Sequence, residues 1–544
     1  MEDSDKGNIL SELLEINLVR KQIIKHIPSF SDMNNLVDVC KFVRCDFEKE
    51  KIERSMFLNS DSQDITITYK DEYDRASGVP GWSDLKFKKD SCSENRLNIV
   101  KTFFGETLLC GNRVEYFINL SIKKWKEKGR MSFIKKLVKE LNLNCATRKD
   151  VKNLEFGFGK NIGYIVLYAL NLMKHDSITR ISLPVNCFTC PPYKYNMING
   201  NIFNGFPNLT ELSLIYPFHR SYYYDFIHHR DTFEKFAQQF STVKNPTIIF
   251  NFLNHDDAMK TDGLFEIINI LTKYNVKIKF NITIYCPRFD FNCGICKNLM
   301  GFCLPIKQYI TTATSKILYH RQILHSIEIM ETFENLCELH LKVILPLSNG
   351  NYMFSYNQKP GHMGLKKLSN LKNVKIEFSR GIYWQYSDIF NSFYPFFEII
   401  CSMMPRSVEV LQLIRVLDIN DATAKMITKY MPNIKFLNIE CLSYKESDGL
   451  DNFTKLECLT SFEYCPIKIP KTLKVLAFKH RKYPSRSDGL IFTDNLIKSH
   501  YEKFTKRITE NGDNELRYIL FNGIHHWHLF KSAIQEYFCP YYYL

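Results

Sequence analysis

From about residue 150 to the C-terminus one short phrase recurs: an apolar residue, two others, an apolar residue, one other, an apolar residue. It stands as Val151-Leu154-Phe156, Ile178-Ile181-Leu183, Leu209-Leu212-Leu214, Leu336-Leu339-Leu341 and Leu371-Val374-Ile376. It continues as Val408-Leu411-Leu413, Ile434-Leu437-Ile439, Leu473-Leu476-Phe478 and Leu516-Ile519-Phe521. The last three positions alternate, which suits a short strand with one face buried. Between phrases lie apolar patterns at helical spacing, such as Phe265-Ile268-Leu271 and Phe396-Ile399-Ile400-Met403. Strand and return helix at steps of roughly 20–40 residues predict an α/β solenoid, in which stacked units share one core. A two-layer α/β globule is the alternative reading of the same pattern.

The first residues follow another rhythm. Ile23, Ile24 and Ile27 recur at helical spacing, Pro28-Ser29 breaks the run, and Ser31-Asp32 offers a cap for a second helix. In that helix Met33, Leu36, Val39, Cys40 and Val43 repeat at steps of three and four. Two short amphipathic helices in so few residues bury too little to stand alone, so a partner or the rest of the chain must complete them. Residues 56–95 read as a polar loop around Gly78-Val79-Pro80-Gly81, with an edge strand at Ile65-x-Ile67-x-Tyr69. Residues 96–145 read as helical. Ile134, Leu137, Val138 and Leu141 share one face, and lysines from Lys123 to Lys139 crowd the others. The expected organisation is a helical module (1–55), a loop and helical connector (56–149) and an irregular repeat array (150–544).

Both ends of this plan resemble known families. Residues 23–33, Ile-Ile-Lys-His-Ile-Pro-Ser-Phe-Ser-Asp-Met, followed by Leu36, Val39, Cys40 and Lys41, resemble the F-box motif in residue type and spacing. Asn17-Leu18 stands where that family usually has Leu-Pro, and Val43 where a Trp is common. The repeats resemble the leucine-rich-repeat family, best at Val408–Ile439, where Met431-Pro432-Asn433 leads into Ile434-x-x-Leu437-x-Ile439. Phe206-Pro207-Asn208-Leu209 and Phe333-Glu334-Asn335-Leu336 echo that entry, although no Asn ladder follows the strands.

Together the resemblances imply a non-catalytic substrate receptor of an SCF-type cullin–RING ubiquitin ligase. Its F-box would dock the adaptor subunit, and through it a cullin, while the repeats bind an unidentified target protein. The adaptor face would draw on Leu18, Ile23, Ile24, Ile27, Pro28, Met33, Leu36, Val39 and Val43, some of which must instead pack the two helices together. Target contacts would come from non-apolar strand positions on the concave side: Glu211, Ser213, Glu338, His340, Gln412 and Asn438. The competing class is a repeat scaffold with no ubiquitin role.

Composition narrows the field further. With 544 residues, 45% hydrophobic and 24% charged, the chain is that of a folded protein, not a disordered one. Its 17 cysteines, the lack of a basic head and apolar core at the start, and the lack of any 18-residue apolar run point to a reduced, soluble protein of the cytoplasm or nucleus. The +14 charge allows acidic partners. The cationic 123–139 segment has no stacking aromatics beside it, so neither nucleic acid nor membrane is expected as a partner.

No catalytic residue, cofactor or metal is expected. Gly157-x-Gly159-x-x-x-Gly163 has neither dinucleotide nor P-loop spacing. Cys187-x-x-Cys190 and Cys293-x-x-Cys296, flanked by Cys286 and Cys303, have chelate spacing but lie far apart. His525, His526 and His528 around Trp527 read as surface residues, because neighbours on a strand point to opposite faces.

Overall fold

The computed structural model describes residues 13–27, 30–39, 43–44, 46–47, 55–58, 64–70, 99–101, 107–109, 114–121, 135, 138–139, 142, 151–156, 163–184, 187–188, 198, 200–215, 230–252, 264–285, 306–317, 320–344, 364–379, 387–416, 419–441, 449–462, 470–479, 515–516 and 518–522. Helices α1 (Asn17–His26) and α2 (Phe30–Val39) come first. Five strands follow: β1 (Ser55–Leu58), β2 (Asp64–Lys70), β3 (Ile99–Lys101), β4 (Thr107–Leu109) and β5 (Val114–Ser121). Next come β6 (Val151–Phe156), α3 (Gly163–Leu172), β7 (Arg180–Pro184), β8 (Glu211–Ile215), α4 (Arg230–Phe240), β9 (Thr247–Phe252) and α5 (Leu264–Lys273). Then β10 (Lys277–Tyr285), β11 (Ile310–Ile317), α6 (His320–Met330), β12 (Glu338–Ile344), β13 (Asn373–Ser379) and α7 (Ser387–Met403). The last are β14 (Val410–Val416), α8 (Asp421–Tyr430), β15 (Phe436–Cys441), β16 (Cys458–Phe462), β17 (Val475–Lys479) and β18 (Tyr518–Asn522).

One large sheet gathers these strands. From β6 to β18 each strand pairs parallel to the next in chain order. At one end β5 and then β2 extend the parallel run; at the other, β1 joins β18, and β3 and β4 follow antiparallel. The sheet is open, because β2 and β4 each have one neighbour among the described residues. Consecutive parallel strands with return helices make this an α/β solenoid-like fold.

A single repeat shows how sequence writes the structure. Asn420 caps α8: its side-chain Oδ1 accepts from the Thr423 backbone N at 2.9 Å and the Thr423 hydroxyl at 3.1 Å. The helix closes with Met431 N–H donating to the Ile427 carbonyl at 2.8 Å. Met431 and Ile434 are buried, and β15 begins two residues later. Equivalent buried pairs precede other strands: Phe206 and Leu209, Phe333 and Leu336, Leu368 and Leu371, Phe453 and Leu456.

The residue before the second member of the pair stitches units together. Asn208 donates its amide to the Asp176 carbonyl (2.6 Å), Asn335 to Gln308 (2.7 Å), Asn370 to Glu334 (3.3 Å) and Asn433 to Arg406 (2.8 Å). In the intervening unit Ser407 takes over, donating to Leu368 and Leu371 carbonyls at 3.1 and 2.8 Å. The asparagine ladder therefore exists, but it enters the strands instead of following them. Two positions further on, Lys372, Glu409, Lys435, Glu457 and Lys474 form a backbone-bonded row of alternating charge. Glu409 sits 3.0 Å from both Lys372 and Lys435, and Glu457 sits 3.4 Å from Lys474. Burial opposes ionisation of Glu409, but the two ammonium groups win and hold its pKa below the usual range.

Phenylalanine fills the helix layer. Phe233, Phe236 and Phe240 of α4 meet Phe188 and Phe203 with ring centroids 4.5–5.4 Å apart. Phe378 of β13 packs on Phe393 of α7 at 4.9 Å. Gly205 is imposed by close approach: a Cβ there would lie 1.8 Å from the Met173 carbonyl oxygen.

All nine sequence phrases coincide with strands, β6, β7, β8, β12, β13, β14, β15, β17 and β18. Strands β9, β10, β11 and β16 escape the phrase for two physical reasons. In β11 the inward positions hold Ala313 and Ser315, and in β16 Ser461 follows Leu459, so small residues break the apolar period; ahead of β9 and β10 the leading apolar position is held by Asn245 and Asn275, which take positive φ. The first part of the region expected to be helical contains strands β3, β4 and β5 instead, whereas the described residues of its second part, 135, 138, 139 and 142, are helical. Val114, Tyr116, Ile118 and Leu120 alternate with polar residues and Phe117, a two-residue period that overrides the neighbouring helical pattern. The edge strand expected at Ile65–Tyr69 is β2, and the Gly78–Gly81 loop lies outside the described residues. Phe265 opens α5 but is 52% exposed, so the buried face of that helix starts at Ile267 and Ile268.

Candidate functional site

Two surfaces present themselves. The first is the N-terminal helical pair. Ile24, Met33 and Val43 are buried together with Leu14 and Phe47, so these side chains hold the module together and do not face outward. Val43 lies beyond α2, not on it. The module is locked by Arg20, which bonds the buried Asp46 carboxylate at 2.5 Å and the Leu14 carbonyl at 3.0 Å. Leu18, Ile23 and Ile27 instead line an open groove with Val19, Gln22 and His26. Leu18 is 77% exposed, and Leu13 and Ile16 just before it are exposed as well. Leu36 is partly buried against the core; Pro28 and the Val39 side chain lie outside the described residues. Burial separates the positions that pack the module from those that remain open to solvent.

The second surface is the sheet face turned away from the helices. Leu339, Leu341, Val374, Ile376, Leu411, Leu413, Leu437 and Ile439 point into the core shared with Ile327, Phe397 and Ile427. The alternate positions form two rows in register. One runs Thr312, Glu338, Asn373, Val410, Phe436, Cys458, Val475; the other Thr314, His340, Lys375, Gln412, Asn438, Thr460, Ala477. Up to β13 these rows are polar and half-buried. From β14 onward Val410, Gln412, Phe436, Asn438, Cys458, Thr460 and Val475 are all buried.

The six expected target-contact positions divide by burial, Gln412 and Asn438 falling in the closed half and Ser213 being buried in β8. Glu211, Glu338 and His340 reach solvent. Ser213, Gln412 and Asn438 are 2%, 4% and 1% exposed, closed to a partner on this face. Ser213 belongs to a polar relay instead: Arg180 donates to its hydroxyl at 3.4 Å, Asn251 at 2.6 Å, and Asn281 bonds Asn251 at 2.8 Å.

The open half converges on Glu377 of β13. His340 Nε2 lies 3.0 Å from its carboxylate, Lys375 Nζ 3.4 Å and Arg415 3.6 Å, and Lys342 is its register partner on β12. The hydrogen bond from His340 and the surrounding ammonium charges outweigh desolvation and hold Glu377 down at about 2. Desolvation pushes His340 below its ordinary value, more than Glu377 raises it. A neutral imidazole donating Nε2–H to an ionised carboxylate satisfies both shifts.

Arg415 reaches this cluster by a backbone distortion. Register slips between Ile414 and Val416, and Arg415 takes φ +59°. Asn245 and Asn275 also have positive φ, a conformation asparagine tolerates; for arginine it costs roughly 1–2 kcal/mol. Bulges re-aim side chains, and this one swings a guanidinium onto the open face. Lys375, Lys342 and Arg415 carried no signal in the apolar phrase. A charged residue at the end of an otherwise apolar strand, Val-Leu-Gln-Leu-Ile-Arg-Val, was the available hint.

Cys187 is buried, while Cys190, Cys286, Cys293, Cys296 and Cys303 lie outside the described residues, as do His525, His526, His528 and the Gly157–Gly159 turn. Among the described residues no group of three or more His, Cys, Asp or Glu could hold a metal, and no helix is long and apolar enough to cross a membrane. Of the basic connector, Lys135 and Lys139 are exposed and Val138 is buried, as on an amphipathic segment.

A family model described as a domain of unknown function, DUF8346, matches residues 132–528. The chain belongs to that family. No curated protein matches it.

Proposed function

We propose that this chain is the substrate-recognition subunit of an SCF-type cullin–RING ubiquitin ligase. The F-box-like helical pair docks the adaptor and, through it, a cullin. The leucine-rich-repeat-like array holds a target protein. The chain performs no bond chemistry; it raises the target's effective concentration near the ubiquitin-carrying enzyme.

The supporting observation is the division within the N-terminal pair. Leu14, Ile24, Met33 and Val43 satisfy the module's own packing, yet Leu13, Ile16 and Leu18 remain exposed beside the groove of Ile23 and Ile27. Apolar side chains grouped at one exposed end mark a docking surface.

Co-purification of the adaptor with wild-type chain and with Leu18→Asp tests the reading. Leu18 is 77% exposed, so its substitution spares the fold and should abolish capture. Ile24→Asp would not discriminate, because it places a charge in the interior. Absence of adaptor from the wild-type pull-down leaves the repeat scaffold without a ubiquitin role.

A further inference from the structure

We infer that the open sheet face over β12–β14 is an anion-binding site that takes a carboxylate or phosphate group of a bound peptide, with Glu377 as its internal stand-in. Lys375 and Arg415 approach one carboxylate and Lys342 stands across the register from it, so the cluster carries more positive than negative charge at its centre. Glu440 lies two strands from Glu377, roughly 10 Å away at ordinary strand spacing, and Glu338 two residues before His340, roughly 7 Å away. Glu377 is the carboxylate in ion-pair contact with both Lys375 and Arg415.

Arg415 supplies the second argument. It contacts Glu377 at 3.6 Å and donates no hydrogen bond among the described residues, although guanidinium offers five donors in a planar fork suited to carboxylate and phosphate. Its left-handed backbone is strained, and strain of this kind persists where a side chain is held for function. Bulge, a fork with one long ion contact among the described residues, and cationic surplus meet at one half-buried place. An incoming anion would take the Arg415 fork and the two ammoniums while Glu377 turns aside with His340.

The source of the anion rests on the proposed reading, in which a target peptide lies on the array; the site itself does not. Anisotropy titrations on the purified full chain, without adaptor, separate the two. The probes are a fluorescent Gly-Ser peptide with one central phosphothreonine, the same peptide with three central glutamates, and the unmodified peptide. Anion-dependent binding is expected, weakened at least tenfold in Arg415→Gly and in Lys375→Gln and strengthened severalfold in Glu377→Gln. Glycine relieves the backbone strain, and an unchanged denaturation midpoint of Arg415→Gly separates loss of the guanidinium from a folding defect. Binding of the phosphopeptide alone assigns the site to phosphate, and of the glutamate peptide alone to carboxylate. Equal affinity for all three probes, or no tightening in Glu377→Gln, overturns the inference. Peptide binding by a chain that captures no adaptor retires the ligase reading and leaves the anion site standing.

Discussion

The face of the sheet away from the helices is built from the same two register rows over β12–β13 and over β14–β17, yet the two halves are opposites. Over β12–β13 the rows hold Glu338, His340, Asn373 and Lys375, half-buried and knit by ion pairs. Over β14–β17 they hold Val410, Phe436, Cys458 and Val475, with Gln412, Asn438 and Thr460 beside them, and every one is closed to water. Parallel pairing of the same kind thus supports a polar, solvent-reaching face in one half and a second interior in the other. What differs is the side-chain row, not the ladder.

The largest expected effect uses that difference directly. Val475→Asp should unfold the chain or cost more than about 4 kcal/mol, since it leaves an unpaired carboxylate in an apolar interior. Asn373→Asp, in the same row, should stay within about 0.5 kcal/mol. Urea denaturation of both variants is the measurement, and equal losses would erase the distinction between the halves.

A second experiment works on the open half alone. Glu377 has its folded pKa at about 2, below its ordinary 4.5, so its stabilisation is full above pH 4.5 and is lost as the pH falls toward 2. His340, also lowered from its ordinary value, acts in the same direction as the pH falls below 6.5. After discounting for solvent, the Glu377 contribution is about 1–2 kcal/mol. Stability measured from pH 7 to pH 3 should fall less steeply in Glu377→Gln than in wild type; parallel curves would remove the network from the energetics.

These contrasts explain what could be read from sequence. The strand phrases were legible because Leu339, Leu411 and Leu437 follow a two-residue period on the core face. The same period puts the non-apolar positions Gln412 and Asn438 on the concave side, open to a partner. Val410-Leu411 and Phe436-Leu437 argue otherwise, because neighbouring apolar residues in a parallel strand signal burial on both faces. The asparagine ladder was in view at Pro207-Asn208-Leu209 and Pro432-Asn433-Ile434 but was sought on the wrong side of the strand. The Glu377 cluster was illegible for a different reason. It depends on register between strands about 40 residues apart and on a one-residue slip, neither of which a linear pattern records.

The ladder provides a control on the comparison. Asn335 enters the open half and Asn433 the closed half, with bonds of 2.7 and 2.8 Å to the preceding unit. If the halves differ only in their face, Asn335→Ala and Asn433→Ala should each cost about 1 kcal/mol, the value of an amide–carbonyl bond whose partner is left bare. Thermal unfolding decides this, and a markedly larger loss for Asn433 would mean that the closed half depends on its edge as well as its interior.

The smallest effect lies at the border itself. Arg415 occupies a conformation that glycine adopts freely, so Arg415→Gly removes roughly 1 kcal/mol of strain and loses one long ion contact that is worth less in a half-exposed setting. Greater flexibility of the unfolded chain takes back part of the gain. The net expectation is a variant as stable as wild type or slightly more so, read as an unchanged or raised denaturation midpoint. A distinct loss would show that the guanidinium holds the bulge in place; an unchanged midpoint means the chain keeps a strained arginine where glycine would fold as well, and the reason must then lie in what that arginine binds.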